Sequence, residues 1–270
     1  MLIVPVFKGM DEMLSETVPI LVPDWPLPAS VRSVITTRCK NSCKESPVAG
    51  EILGASSAVQ GEQVQAARAL LSRQLNLLLP PQWLAQEHGN AVVEASTIGT
   101  PKVADASYTD RPGLACAVLS ADCLPLLISA KDGSLVAAAH GGWRGLASGI
   151  IAATLTAMDT DPAELSVYLG PAICAQHFEV GPEVRQAFLT GWMASNDQVQ
   201  VAACFRSSKR TPGHYFADLY QLARIQLNEL GVRAIYGGEY CTYAQDSLFY
   251  SYRRRHDSGR MASLIWIAES

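Results

Sequence analysis

The chain of 270 residues has no uninterrupted apolar run near the roughly 20 residues that a membrane-spanning helix requires. Its opening, MLIVPVFKGMDEM, has no basic leader, and Lys8, Asp11 and Glu12 break the apolar start. Neither a transmembrane segment nor a secretory signal is expected. Positive charge is not in excess: 21 Lys and Arg against 25 Asp and Glu leave a net charge of −4, so a nucleic-acid footprint or a basic membrane patch is not expected. Repeats and low-complexity tracts are missing. The seven cysteines are an odd number scattered along a long chain, not the dense set of a disulfide framework, and the expected location is the reducing cytoplasm. Histidine is scarce as well, with five residues (88, 140, 177, 214, 256) and no H-x-H pair.

What is present concentrates between positions 121 and 149, ADCLPLLISAKDGSLVAAAHGGWRGLASG. Two apolar runs flank Lys131-Asp132-Gly133, a strand–turn–strand signal. A hairpin centred near Lys131 and Asp132 pairs positions summing to about 263, which sets Cys123 opposite His140 at the roughly 4.5–5.5 Å of cross-strand neighbours. Gly141, Gly142, Trp143, Arg144 and Gly145 follow, then a helical run to Met158. The chemistry is therefore expected where this strand ends and the helix begins.

The remaining segments give an outline. Residues 1–29 read as an extended, proline-bearing lead-in, and 30–270 as a single domain. Val31–Thr37 is β-branched and strand-like. Positions 38–55 form a polar loop in which Cys39 and Cys43 lack a second ligand pair. A helical face falls within 57–75. Trp83–Val93 reads as strand, polar turn with His88, and strand. Leu114–Ala121 reads as a strand buried on both faces, interrupted by Asp122, whose carboxylate needs a partner. Asp161-Pro162-Ala163-Glu164 opens a helical turn, Gly181-Pro182-Glu183 opens a helix, and Asp218 caps the best helix, which Gly231 stops. Positions 196–213 read as a polar linker. Val232–Tyr236, Leu248–Tyr252 and Met261–Ile267 read as strands, the last two separated by a basic loop, Arg253-Arg254-Arg255-His256-Asp257-Ser258-Gly259-Arg260, suited to an anion. Helices between groups of strands indicate an α+β fold.

His88, Cys123 and His140 give zinc three protein ligands and an open fourth position, the pattern of a catalytic site. Two alternatives stand beside it. Cys123 activated by His140 makes a nucleophile pair with His88 a bystander; a structural zinc takes a fourth ligand from Cys116 or Cys174.

The segments WLAQEHGNAV, ADASYTDRPG, AVLSADCLPLLI, AAAHGGWRGLASGII, LGPAICAQHFEVGPEV, DLYQLARIQLNELGV, CTYAQDSLFYSYRR and SGRMASLIWI resemble, in this order, the laccase-domain or YfiH-like family. Its members have been described both as multicopper polyphenol oxidases and as purine nucleoside phosphorylases. The resemblance implies a four-layer α/β/β/α fold similar to the catalytic domain of cytotoxic necrotizing toxins. It implies metal ligation by His88, Cys123 and His140. It implies phosphorolysis of adenosine, inosine, guanosine and methylthioadenosine, with adenosine deamination beside it. On this reading the partners are a purine nucleoside and phosphate, and the chain is a monomer or weak dimer. Zinc is the expected cofactor, with copper possible. Asp122 is the first choice as acid/base, with Asp105 and Glu179 behind it; Arg144 is the first choice for phosphate, with Arg38, Glu179, Arg253 and Arg254 as further substrate contacts. The N-terminal third departs from the family pattern. CKNSCKESP replaces a glycine-rich stretch after Thr36-Thr37-Arg38, an N-L-x-x-H-x-G-D type motif has no counterpart, and Ala67-Arg68 stands where an N-R pair is usual. Copper-dependent phenol oxidation is the competing activity, although five histidines cannot furnish a full multicopper assembly. A zinc-containing binding module without turnover is the third reading.

Overall fold

The strand segments Ala115–Ser120, Leu124–Ala130, Val136–Gly141, Leu165–Leu169 and Met261–Ile267 contain no Asp, Glu, Lys or Arg, because both of their faces are covered. The computed structural model describes residues 17–38, 61–96, 101–191, 198–257 and 259–269. One antiparallel sheet has the order β1 (Ile20–Leu21), β2 (Val31–Thr36), β15 (Met261–Ile267), β7 (Ala115–Ser120). A larger mixed sheet has the order β14 (Ala234–Gly237), β10 (Leu165–Leu169), β8 (Leu124–Ala130), β9 (Val136–Gly141), β6 (Ala106–Thr109), β4 (Val92–Glu94). In it β14 runs parallel to β10 and β4 parallel to β6, the other pairs being antiparallel. Two small sheets complete the set: β11 (Glu179–Val180), β13 (Tyr215–Ala217) and β12 (Phe205–Ser207), and β3 (Leu84–Ala85) with β5 (Lys102–Val103). The helices are α1 (Gly61–Gln74), α2 (Trp143–Ser148), α3 (Ile150–Met158), α4 (Pro182–Thr190), α5 (Gln198–Ala203), α6 (Leu219–Glu229) and α7 (Tyr252–Arg255).

Side-chain alternation decides what each face meets. From β8, Leu127 joins Ile35, Val118, Val136 and Ile265 between the two large sheets. Leu124, Leu126 and Ile128 point the other way, onto Leu146, Ile150 and Leu222 of the helices. Val64, Ala67 and Leu71 of α1 pack against Val34, Ala117 and Leu264 on the outer face of the smaller sheet. Among the described residues the architecture is a mixed α/β fold with several sheets and no barrel. No helix of the described residues is long and apolar enough to cross a membrane.

The described part of the lead-in adds an edge strand: Ile20 and Leu21 pair with Thr36 and Ile35, and buried Trp25 donates from Nε1 to Ser33 Oγ at 3.1 Å. Cys39, Cys43 and the divergent 39–60 segment lie outside the described residues. Asp161 and Asp218 cap as expected, accepting from Ala163 N and Gln221 N. Three expectations need correction. The hairpin ladder pairs Pro125 with His140 and Leu124 with Gly141, two positions on from the expected partner of His140. The turn forms one residue later because Gly133 takes the left-handed slot (φ 77°) and Asp132 accepts from Ser134 N and Oγ. Positions 248–252 are not a strand. Leu248 and Phe249 donate to Gln245 O, Ser251 caps α7 by accepting from Arg254 N, and Phe249 and Tyr250 are buried from a loop. The 196–213 stretch contains α5 and β12; Val201 is the sole buried residue of α5 and Val199 is exposed, so the apolar period was too faint to read.

Candidate functional site

A displacement of two residues leaves side-chain parity unchanged. Cys123, just ahead of β8, and His140, near the end of β9, therefore still face the same way, diagonally and not directly opposed. His88 comes from the turn between β3 and β4. The ligand atoms of His88, Cys123 and His140 all lie within 4.8 Å of one another. The two imidazoles meet edge to face at 4.8 Å between centroids, with the Cys123 sulfur beside both.

Two non-glycine backbones in left-handed conformation hold this geometry: His88 (φ 61°) and Asp122 (φ 96°). Such residues cost of order 1–3 kcal/mol and persist only where their surroundings hold them. For His88 the holder is Asp105, at the base of β6. One carboxylate oxygen of Asp105 accepts from His88 N at 3.0 Å and meets His140 Nδ1 at 2.8 Å; the other accepts from Glu87 N at 3.1 Å and Gly89 N at 2.8 Å. A single buried carboxylate thus sets both histidines, and with Nδ1 of His140 engaged, Nε2 faces the thiol side. Burial pushes the Asp105 carboxyl up, but His140 and the Gly89 and Glu87 amides outweigh it and leave it below its ordinary value. The holder for Asp122 is the opposite wall. Its carboxylate accepts from Thr242 Oγ1 at 2.6 Å, Ser251 Oγ at 3.1 Å and Arg253 N at 2.7 Å.

Burial pushes the Cys123 thiol up, yet the His140 and His88 rings hold it down at about 6. His140 is pushed down by burial and raised, to about 9, by the Cys123 sulfur and Asp105. Cys116 and Cys204, by contrast, are pushed up to about 12 by burial. In metal-free protein at pH 7, iodoacetamide is accordingly expected to label Cys123 well before Cys116 and Cys204, and the rate at Cys123 to fall as pH drops through about 6. A midpoint near 9 would contradict the thiolate–imidazolium pair.

The trio opens onto a cavity of about 690 Å³, within the usual span for small-molecule sites. Arg68, Arg253 and Arg260 give it positive charge, and Phe178 and Tyr252 give it aromatic faces. Asp122 also lines it. Several expected substrate contacts lie elsewhere. Arg144 is exposed on α2, one helical position past Trp143, with its guanidinium stacked over that ring at 4.3 Å. Arg38 pairs with Asp246 at 2.9 Å and Asp257 at 3.3 Å. Arg254 donates to the Thr242, Tyr243 and Phe249 carbonyls and pairs with Asp246 and Asp257. The Glu179 side chain is hydrogen-bonded by Ser208 Oγ, while its carbonyl accepts from Arg253 Nη1 at 2.6 Å. Neither Cys116 nor Cys174 joins the trio: Cys116 is buried inside β7 against Ile265. The sequence singles out neither Phe178 nor Tyr252 of the cavity, nor Arg68, which is stacked on Trp83 at 4.3 Å. For Arg68 the signal was the Ala67-Arg68 dipeptide in place of the family's N-R pair.

Gly142 closes the floor. A Cβ there would lie 2.9 Å from His88 Cδ2, 3.4 Å from Cys123 Sγ and 3.5 Å from His140 Cε1. Its own backbone is ordinary for any residue (φ −64°, ψ 155°). Gly142→Ala is therefore expected to fold normally and to weaken metal binding by about 10-fold or more, the scale of a displaced ligand shell. Unchanged metal affinity by competition with a chelating dye would count against the assignment.

Residues 32–268 match the family described as multi-copper polyphenol oxidoreductase laccase. The chain belongs to this laccase-like, YfiH family. Its relatives include the purine nucleoside phosphorylase of Pseudomonas aeruginosa, 43% identical over 92% of this chain and 98% of that one. Purine nucleoside phosphorylase YfiH of Escherichia coli is 41% identical over 92% and 98%. Among solved structures, a Neisseria meningitidis protein of the family DUF152 is 42% identical, with a TM-score of 0.82 over 93% of this chain and 99% of that one.

Proposed function

We propose that this YfiH-family chain is a zinc-dependent purine nucleoside phosphorylase that acts on adenosine, inosine, guanosine and methylthioadenosine, with hydrolytic deamination of adenosine as a side activity. The observation that carries the reading is one cavity holding an open-sided His–Cys–His trio, three guanidiniums and two aromatic faces. The trio suits zinc: two imidazoles and one low-pKa thiol converge, and a buried carboxylate orients both histidines, an arrangement recurrent behind metal-bound histidine. Held there, zinc supplies a Lewis acid and lowers the pKa of a bound water to about 7.

The chain's own groups do the positioning. Phe178 and Tyr252 take the purine between aromatic faces, a contact tolerant of different bases. Arg68, Arg253 and Arg260 take phosphate, which guanidinium matches in charge and fork geometry. A phosphate oxygen then bonds to the ribose anomeric carbon, the bond to the purine nitrogen breaks, and that nitrogen takes up the proton given up by the phosphate. In deamination, water oxygen bonds to the amino-bearing purine carbon and ammonia leaves. Asp122, with three donors on its carboxylate, is assigned to holding the chain at Cys123 in position. The order α1, smaller sheet, larger sheet, outer helices, implied by the three apolar clusters, supports the four-layer reading and a single domain, into which Val18 and Trp25 of the lead-in also pack.

Inosine and phosphate incubated with the zinc-loaded protein are expected to give hypoxanthine and ribose-1-phosphate in equal amounts; no product from zinc-loaded protein overturns the proposal. The family description favours a second reading, copper-dependent oxidation of phenols at the same trio. Phenol turnover that appears only with copper, together with no phosphorolysis, would select it.

A further inference from the structure

A second group of soft donors lies outside the cavity. The Sγ atoms of Cys174 and Cys241 and a ring nitrogen of His177 fall within 4.8 Å of one another. Nδ1 of His177 is 3.2 Å from Cys174 Sγ and 3.5 Å from Cys241 Sγ. A tetrahedral zinc with Zn–S near 2.3 Å and Zn–N near 2.0–2.1 Å sets sulfur and nitrogen about 3.6 Å apart, so only small shifts separate the cluster from a ligand set. Both cysteines are free thiols.

The backbone builds the cluster from two segments. His177 N and Phe178 N both donate to Cys174 O, at 2.9 and 3.1 Å, folding C-x-x-H into a single turn. Ala172 bridges to Cys241 in parallel fashion, and Cys174 N donates to Cys241 Sγ at 3.4 Å. The His177 ring lies stacked on Tyr243 at 4.5 Å and 18°, which holds its plane.

We propose that Cys174, His177 and Cys241 bind a second metal ion, zinc, through two thiolates and one imidazole. The cluster offers no oxygen donor, which disfavours magnesium and calcium, and paired thiolates select zinc among the common divalent ions. Neither the trio nor the cavity shares a donor with it. Its role follows from what it joins. Ile173 N donates to the Asp122 carbonyl at 2.9 Å, and Thr242 Oγ1 to the Asp122 carboxylate at 2.6 Å. An ion between the two segments braces the residue that precedes Cys123; it positions the first site and does not face substrate.

Zinc-saturated, desalted wild type is expected to carry two ions per chain. Cys241→Ser and Cys123→Ser should each retain one, and the double variant none. Should Cys241→Ser not fold, anomalous diffraction at the zinc edge from wild-type crystals decides: one peak is expected at the trio and one between Cys174, His177 and Cys241. A single ion that disappears with Cys123→Ser, a peak at the trio alone, or a Cys174–Cys241 disulfide in the zinc-saturated protein overturns the proposal.

Discussion

Replacing Asp105 by asparagine is expected to lower zinc affinity and phosphorolysis together by about 10–100-fold, the range found for partners behind metal-bound histidine. The amide keeps one acceptor for His140 Nδ1, but its NH2 then faces the Glu87 and Gly89 amides that the second carboxylate oxygen satisfies. Two backbone donors lose their acceptor, at about 1–3 kcal/mol each, and the turn that presents His88 in left-handed conformation keeps only the His88 amide contact of its three bonds to residue 105. A pH dependence accompanies the loss. The folded-state pKa of Asp105 is depressed below its ordinary 3.8, so its contribution to stability is present above that value and disappears as pH falls through the lower folded pKa. The stability gap between wild type and Asp105→Asn should hold steady from pH 7 to pH 5 and narrow below pH 4. A gap that widens with acid, measured by urea unfolding across that range, would contradict the role given to this carboxylate.

Arg68→Ala is expected to raise KM for phosphate by about 10-fold or more with zinc content unchanged, since a hydrogen bond to a charged group contributes about 1.5–3 kcal/mol. Burial lowers the Arg68 pKa to about 10, which still leaves it charged at neutral pH. Because its guanidinium is stacked on Trp83, Arg68→Lys should restore little, the ammonium lacking a planar face. Arg144→Ala is the contrast. An exposed side chain stacked on Trp143 should change KM for phosphate by no more than about 2-fold, as is usual for surface positions. Initial rates against phosphate concentration check all three variants; a larger effect from Arg144→Ala would restore it as the anion contact.

The trio was legible in the sequence because its chemistry is local: a cysteine and a histidine flank one hairpin, and a second histidine sits at a Gly-bearing turn. The register was displaced by two residues, since Gly133 and not the turn's midpoint decides where the chain reverses. The role of Asp105 was out of reach. It depends on β4 lying parallel beside β6, which brings a turn 16 to 18 residues away onto one carboxylate. Arg68 was hidden for a similar reason, as α1 reaches the cavity only after docking on the smaller sheet. Conversely, the three consecutive arginines from 253 read as one anion loop, whereas α7 turns them in separate directions. Arg253 enters the cavity, Arg254 goes to buried carbonyls, and Arg255 pairs with Asp246.

The most direct measurement is phosphate-dependent hypoxanthine release from inosine by wild type and Cys123→Ala, with zinc and copper determined in the same preparations. Loss of bound zinc from the cavity together with loss of turnover in Cys123→Ala is the predicted result. Turnover that survives in Cys123→Ala, or wild type that carries zinc in the trio and releases no hypoxanthine, would contradict a reaction built around His88, Cys123 and His140.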